Sequence, residues 1–325
     1  MITLSDIAAA AERLAGVSVR TPLIRNFELD EIAGGSVLIK PECLQVTGSF
    51  KIRGAYNLLS QLTEAERERG AVAWSSGNHA QGVAAAGGML GVRTAIVMPE
   101  DAPQAKIDNT RRLGGEVIPY DRYTGDREAI AKKIAAERNA VIVPSYDHAD
   151  IIAGQGTVGL EIAEQALEMH MPPDQVLICC GGGGLSSGSA IALQARLPGV
   201  AVHTVEPDQF DDTARSLACG QRVAVAGDAR SICDALQAHE PGEMTFAINR
   251  QLLGRGLTVS DAEVCEAMRF AFRHLKLVVE PGGAVALAAV LAGKLETAGK
   301  TTAIVLSGGN VDVALFARIQ RGGSG

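Results

Sequence analysis

Lys51 stands directly after Phe50 in Ser49-Phe50-Lys51-Ile52-Arg53-Gly54-Ala55, where a loop gives way to a helical pattern. An amine beside a flat apolar ring suits Schiff-base chemistry on a heterocycle. A lysine desolvated between packed lobes has its pKa lowered towards the free amine that attacks carbonyls. The ordinary alternative is a solvated surface charge at a helix start. Gly181-Gly182-Gly183-Gly184 follows the apolar run Val176–Cys180 and precedes the helical pattern Ser186–Arg196. Its N–H groups can converge with a helix N-terminus on an anion such as a phosphate. A dinucleotide site is the rival reading, with Glu206 at the end of the next strand in the place of a ribose-binding acid. Gly182, Gly184 and Gly188 give G-x-G-x-x-x-G rather than the usual fingerprint, and a nicotinamide site leaves Lys51 and Ser307 without roles.

Ser75-Ser76-Gly77-Asn78-His79 is again a loop feeding a helix N-terminus, and its N–H groups suit a substrate carboxylate. Asn78 as a simple N-cap is the plainer alternative. Glu206 and Asp212 flank a short loop and offer hard oxygens beside backbone carbonyls, either as a cation site or as solvated acids. His148, His203 and His239 show no ligand spacing and read as structural.

The elements that must position these groups are short Val/Ile-rich runs alternating with helical patterns. The runs are Val37–Lys40, Ala71–Trp74, Thr94–Met98, Glu116–Pro119, Val141–Pro144, Val176–Cys180, Val200–Val205 and Thr302–Leu306. Such alternation predicts parallel sheets wound with helices. The compact units between Gly54 and Ser145 predict a nested small domain, residues 54–145, inside a larger one made of residues 1–53 and 146–325. Ligands in open sheets sit past the carboxyl ends of strands, so the site is expected in the cleft between the lobes.

A chain of 325 residues that is 47% apolar can bury a large core. Its net charge of −7 is scattered, which argues against nucleic acid and anionic membrane and for a small metabolite. The six cysteines form no CxxC pair and no secreted-type ladder, as expected of reduced thiols in the cytoplasm. No basic leader with an apolar core opens the chain, and the apolar stretch Ala284–Ala292 is too short to span a bilayer.

Taken together, the Ser49–Ala55 stretch, the glycine tetrad and Ser307-Gly308-Gly309-Asn310 resemble the active-site set of fold-type II pyridoxal-phosphate enzymes. The resemblance is to the serine/threonine dehydratase and serine racemase family, tryptophan synthase β-like, and runs from Thr21 to Asn310. It implies an α/β fold of two open, mainly parallel twisted sheets with helices on both faces and an active site between a large and a small domain. It implies pyridoxal 5'-phosphate carried on Lys51, which then moves the substrate α-proton, with Phe50 packed on the pyridine ring. Gly181, Gly182, Gly183, Gly184 and the Leu185 amide would hold the phosphate, Asn78 the ring hydroxyl and Ser307 the ring nitrogen.

The same resemblance assigns Ser76 to the opposite face of the α-carbon, while the loop reading gives Ser75, Ser76, Asn78 and His79 to the substrate. Glu206, the Phe210 carbonyl and Asp212 would bind Mg2+ or another divalent cation, although Phe210 is bulkier than the residue expected there. Arg127 falls where some relatives offer a cation to the substrate, and it also reads as a surface residue of the helix Arg127–Arg138. Tyr146-Asp147-His148 reads either as pocket lining or as a hinge. The implied activity is β-elimination from a β-hydroxy-α-amino acid such as L-threonine or L-serine, giving a 2-oxo acid and ammonia. The alternatives are 3-hydroxyaspartate or phenylserine dehydration, serine or aspartate racemisation and, remotely, a nicotinamide oxidoreductase. A homodimer is expected from the resemblance and from the apolar helix near Ala284–Ala292. Control by isoleucine is not expected.

Overall fold

The computed structural model describes residues 2–102 and 104–323. Nine strands appear among them: β1 Ser36–Pro41, β2 Ala71–Trp74, β3 Thr94–Pro99, β4 Gly115–Tyr120, β5 Val141–Ile142, β6 Gln175–Cys179, β7 Ala201–Pro207, β8 Gly256–Val259 and β9 Thr301–Leu306. One sheet has the order β1-β9-β6-β7-β8 and the other β4-β3-β2-β5, and every pairing within both is parallel. This is the doubly wound α/β arrangement that alternating apolar runs demand, because parallel neighbours need crossover helices.

The predicted strands are all present, with shifts at their ends, but Val141–Pro144 pairs only over Val141–Ile142. Strand β8 lies outside the runs that the sequence marks. It is half-buried, and it begins at Gly256, where a Cβ would overlap Ala214 of the helix Asp212–Cys219. A glycine start and a single short apolar alternation give too little signal.

The helix Pro281–Leu291 is apolar on all sides, and residues 281–290 are buried within the chain. It is a core helix of the five-stranded sheet. Its apolarity is therefore satisfied internally and does not point to a second copy, contrary to the expectation from the sequence. No helix is long and apolar enough to cross a membrane among the described residues.

The helix Lys51–Ser60 packs against both Asn78–Leu90 and Ala149–Glu168, and so ties the two sheets together. Close approach explains a glycine here: a Cβ on Gly154 would lie 2.5 Å from the Arg53 carbonyl. Behind Lys51, fully buried Arg53 donates to Glu42 at 2.8 and 2.9 Å and to Glu161 at 2.7 and 3.0 Å. Lys40 of β1 donates to Glu161 at 2.6 Å and to the Thr21 carbonyl at 2.7 Å. Burial alone would raise the Glu42 carboxyl, but the Arg53 guanidinium, Lys40 and the Thr21 hydroxyl together outweigh it and hold the group low. Removing one partner from such a cluster costs about 3–5 kcal/mol, so it pins the start of the Lys51 helix to β1.

Candidate active site

The loop before Lys51 is zipped to the loop after β9. Phe50 N donates to the Ser307 carbonyl at 3.2 Å, Gly309 N donates to the Gly48 carbonyl at 2.8 Å, and Ser49 bridges Gly308. That places Lys51, Phe50 and Ser307 at one strand-end corner. Lys51 Nζ donates to the Ser145 carbonyl at 2.9 Å and lies 5.1 Å from the Phe50 ring centroid. Burial pushes the amine down to about 8, with Cys179 and Glu280 pulling weakly the other way.

The tetrad turns from β6 into the helix Gly184–Arg196, with Gly183 in the left-handed region at φ +94°. The N–H groups of Gly184, Leu185 and Ser186 open that helix and have no intrahelical partner. A Cβ on Gly182 would overlap the Tyr146 ring, and one on Gly184 would lie 2.5 Å from Gln155 Oε1. Gln155 Oε1 is buried without a partner. Glycine is required for this cradle, and its free N–H groups suit a phosphate.

Ser75 and Ser76 are half-buried in the loop between β2 and the helix Asn78–Leu90, whose first N–H groups are likewise open. Asn78 is not the N-cap, which is Gly77, but the first helical residue: its Nδ2 donates to Glu280 at 2.5 Å and its Oδ1 accepts from Asn310 at 2.7 Å. The His79 imidazole is taken by the fold, bonded to the Val143 carbonyl at 2.9 Å. Burial and then Lys51 push it down to about 3, so it stays neutral.

Glu206 accepts from Thr213 N at 3.0 Å and Ala214 N at 2.7 Å, which caps the helix Asp212–Cys219. Asp212 is fully buried with both carboxylate oxygens unpartnered. Burial pushes Asp212 up to about 7, and burial with Asp212 beside it raises Glu206. Two close buried acids with free carboxylate oxygens would suit a divalent ion between them. No cluster of three His, Cys, Asp or Glu side chains surrounds them among the described residues. Arg127 is exposed at the start of Arg127–Arg138, and its charge reaches Tyr146.

A family model described as pyridoxal-phosphate dependent enzyme matches residues 15–308. The chain belongs to that family. It is 45% identical over 98% of both chains to the L-threo-3-hydroxyaspartate ammonia-lyase of Pseudomonas sp. It is 40% identical to the serine racemase of Schizosaccharomyces pombe over 97% of this chain and 96% of that one. The solved structure of a threonine deaminase from T.th. superposes with a TM-score of 0.89 at 42% identity, covering 95% of this chain and 99% of the other. The protein is thus an enzyme of the pyridoxal-phosphate-dependent ammonia-lyase and racemase family, with the fold of its fold-type II members.

Sequence reading misses Glu280 altogether, and it takes Asn310 as part of a motif without assigning it a contact. An acid directly before Pro281-Gly282-Gly283 and an apolar run is the signal of a helix N-cap, which hides its place in the cleft.

Proposed function

We propose that the enzyme dehydrates a β-hydroxy-α-amino acid to a 2-oxo acid and ammonia, with 3-hydroxyaspartate as preferred substrate. The observation that carries the preference is Arg127, which makes neither ion pair nor hydrogen bond among the described residues while its charge reaches Tyr146, whose ring packs against Gly182 of the glycine loop. An unpaired guanidinium at the mouth of the cleft suits a β-carboxylate. The Pseudomonas relative carries a name with that substrate.

Pyridoxal phosphate, when bound, supplies an electron-accepting ring joined to the substrate nitrogen. The N–H groups after Gly183, that of Leu185 among them, would hold its phosphate, and Phe50 would cover the ring. The Ser307 hydroxyl would meet the ring nitrogen, and a hydroxyl rather than a carboxylate there would leave that nitrogen largely unprotonated and favour elimination over a long-lived carbanion. The Ser75–His79 N–H groups and Ser76 hold the α-carboxylate. Lys51, poised near neutrality, takes the α-proton as the β carbon–oxygen bond breaks, and that proton is passed on to the departing hydroxyl, which leaves as water. The unsaturated amine then hydrolyses to the oxo acid and ammonia. Racemisation is the second reading, supported by Ser76 and by the likeness to a serine racemase.

The division into residues 1–53 with 146–325 and 54–145, a divalent cation on Glu206, Phe210 and Asp212, and a cytoplasmic homodimer belong to the same reading. A face carrying Phe27, 88% exposed, Val313, 82%, and Phe272, Val278 and Leu44 supports the dimer. Asn26 bonded to the His274 carbonyl and Phe272 edge-on to Phe316 make much of it contiguous.

The test is 2-oxo acid release from L-serine, L-threonine, threo and erythro 3-hydroxyaspartate and 3-phenylserine, with wild type and Arg127→Ala. A selective loss on 3-hydroxyaspartate supports the assignment. Equal loss on all substrates removes Arg127 from it, and no oxo acid from any of them turns the reading to racemisation.

A further inference from the structure

Glu280 precedes the helix Pro281–Leu291 and is 3% exposed, on the same cleft as Lys51. Its N–H donates to the Gly308 carbonyl at 3.0 Å, and its Oε1 accepts from Asn78 Nδ2 at 2.5 Å. At the other end, Asn310 Nδ2 donates to the Thr47 carbonyl at 2.8 Å and to Asn78 Oδ1 at 2.7 Å. A backbone carbonyl only accepts, so Asn310 must turn its nitrogen to Thr47 and Asn78. Asn78 must then turn its own nitrogen to Glu280, and an ionised carboxylate also only accepts. Groups that cannot donate close both ends, so neither amide can turn over. One Asn78 amide hydrogen serves Glu280, and the second has no partner among the described residues.

We propose that Glu280 is a positioning residue for the cofactor: as terminal acceptor of the Thr47–Asn310–Asn78–Glu280 chain, it holds the second Asn78 hydrogen towards the ring-hydroxyl oxygen of pyridoxal phosphate. This rests on the assignment of Asn78 to that oxygen. Burial and then Asp234 push the Glu280 carboxyl up to about 7, against Asn78, Lys106 and Lys51. The thiols of Cys43 and Cys179 also face it, and burial keeps both protonated. Protonation puts a donor at the end of the chain, so the ring-hydroxyl oxygen loses its assured donor as pH falls through about 7.

The dissociation constant of pyridoxal phosphate and the visible absorption of the loaded, full-length protein are followed over about pH 6 to 9. The variants are Glu280→Leu, Glu280→Gln, Asn78→Ala and the Leu/Ala double. Expected are about tenfold weaker binding for Glu280→Leu and no further loss in the double variant. Glu280→Gln puts an amide donor at the end of the chain, as the protonated acid does, so it binds at every pH with about the affinity of the wild type at low pH and loses the inflection near the Glu280 pKa. Wild-type binding by Glu280→Leu, or additive losses in the double, overturns the inference. No effect of Asn78→Ala removes the Asn78 assignment itself. If Glu280→Leu fails to fold by circular dichroism, Asn310→Ala breaks the chain from the other end and must show the same loss, and wild-type behaviour there overturns the inference.

Discussion

Lys51 Nζ donates to the main-chain carbonyl of Ser145 across 2.9 Å, joining the first residue of one helix to a segment 94 positions later. A carbonyl accepts from an ammonium and from an amine alike, so the bond fixes where the nitrogen sits without fixing its charge. Charge is set by burial, which brings the amine down to about 8. The nitrogen is thus held in place and near its titration point at once.

Replacing that amine separates chemistry from stability. Lys51→Met should abolish turnover while raising the stability of the cofactor-free protein at pH 7 by roughly 1–3 kcal/mol. The folded pKa lies below the unfolded one, so the penalty is present below about 8 and fades as pH rises towards 10.5. Urea unfolding at neutral and alkaline pH measures it, and an equal gain at both values would contradict a desolvated ammonium.

Capture of pyridoxal phosphate by the cofactor-free protein should speed up with pH and level off above about 8, because only the free amine attacks. Stopped-flow absorbance gives the profile. An inflection at the ordinary lysine value would mean that the amine is solvated.

Ser76→Ala should suppress any exchange of configuration at the α-carbon about a hundredfold or more while elimination falls far less. Chiral analysis beside oxo-acid release decides, and equal losses would remove Ser76 from the opposite face.

Saturating divalent cation should raise the thermal midpoint, since a ligand at about a hundred times its dissociation constant adds ~2.7 kcal/mol. Chelator should reverse the shift, and Asp212→Asn should not respond. Absence of any shift with Mg2+, Ca2+ or Mn2+ would leave Glu206 and Asp212 as a buried acid pair sharing protons.

Much of the site is legible in the sequence because its parts are local. The tetrad between β6 and its helix, the Ser75–His79 loop and the Phe50–Lys51 pair each join a strand or loop to a helix start, and glycine, serine and asparagine announce such junctions. The Arg127–Arg138 helix falls where the sequence places it, capped by Asp126. Less legible are groups whose role comes from a partner far along the chain. Glu280 reads as a cap, yet its bond to Asn78 spans 202 positions. Arg53 and Lys40 read as ordinary cations until Glu42 and Glu161 are seen around them.

The sequence by itself determined the α/β class, the run of junction loops and the chemical types that meet there, because strand periodicity and turn chemistry depend on near neighbours. Tertiary structure alone decided that the helix Pro281–Leu291 is core, that the His79 imidazole belongs to the fold, and that Asn78 has one orientation. Each of these depends on which distant group fills the remaining hydrogen-bonding capacity or apolar face of the residue. That is settled by parallel sheets bringing together segments hundreds of residues apart.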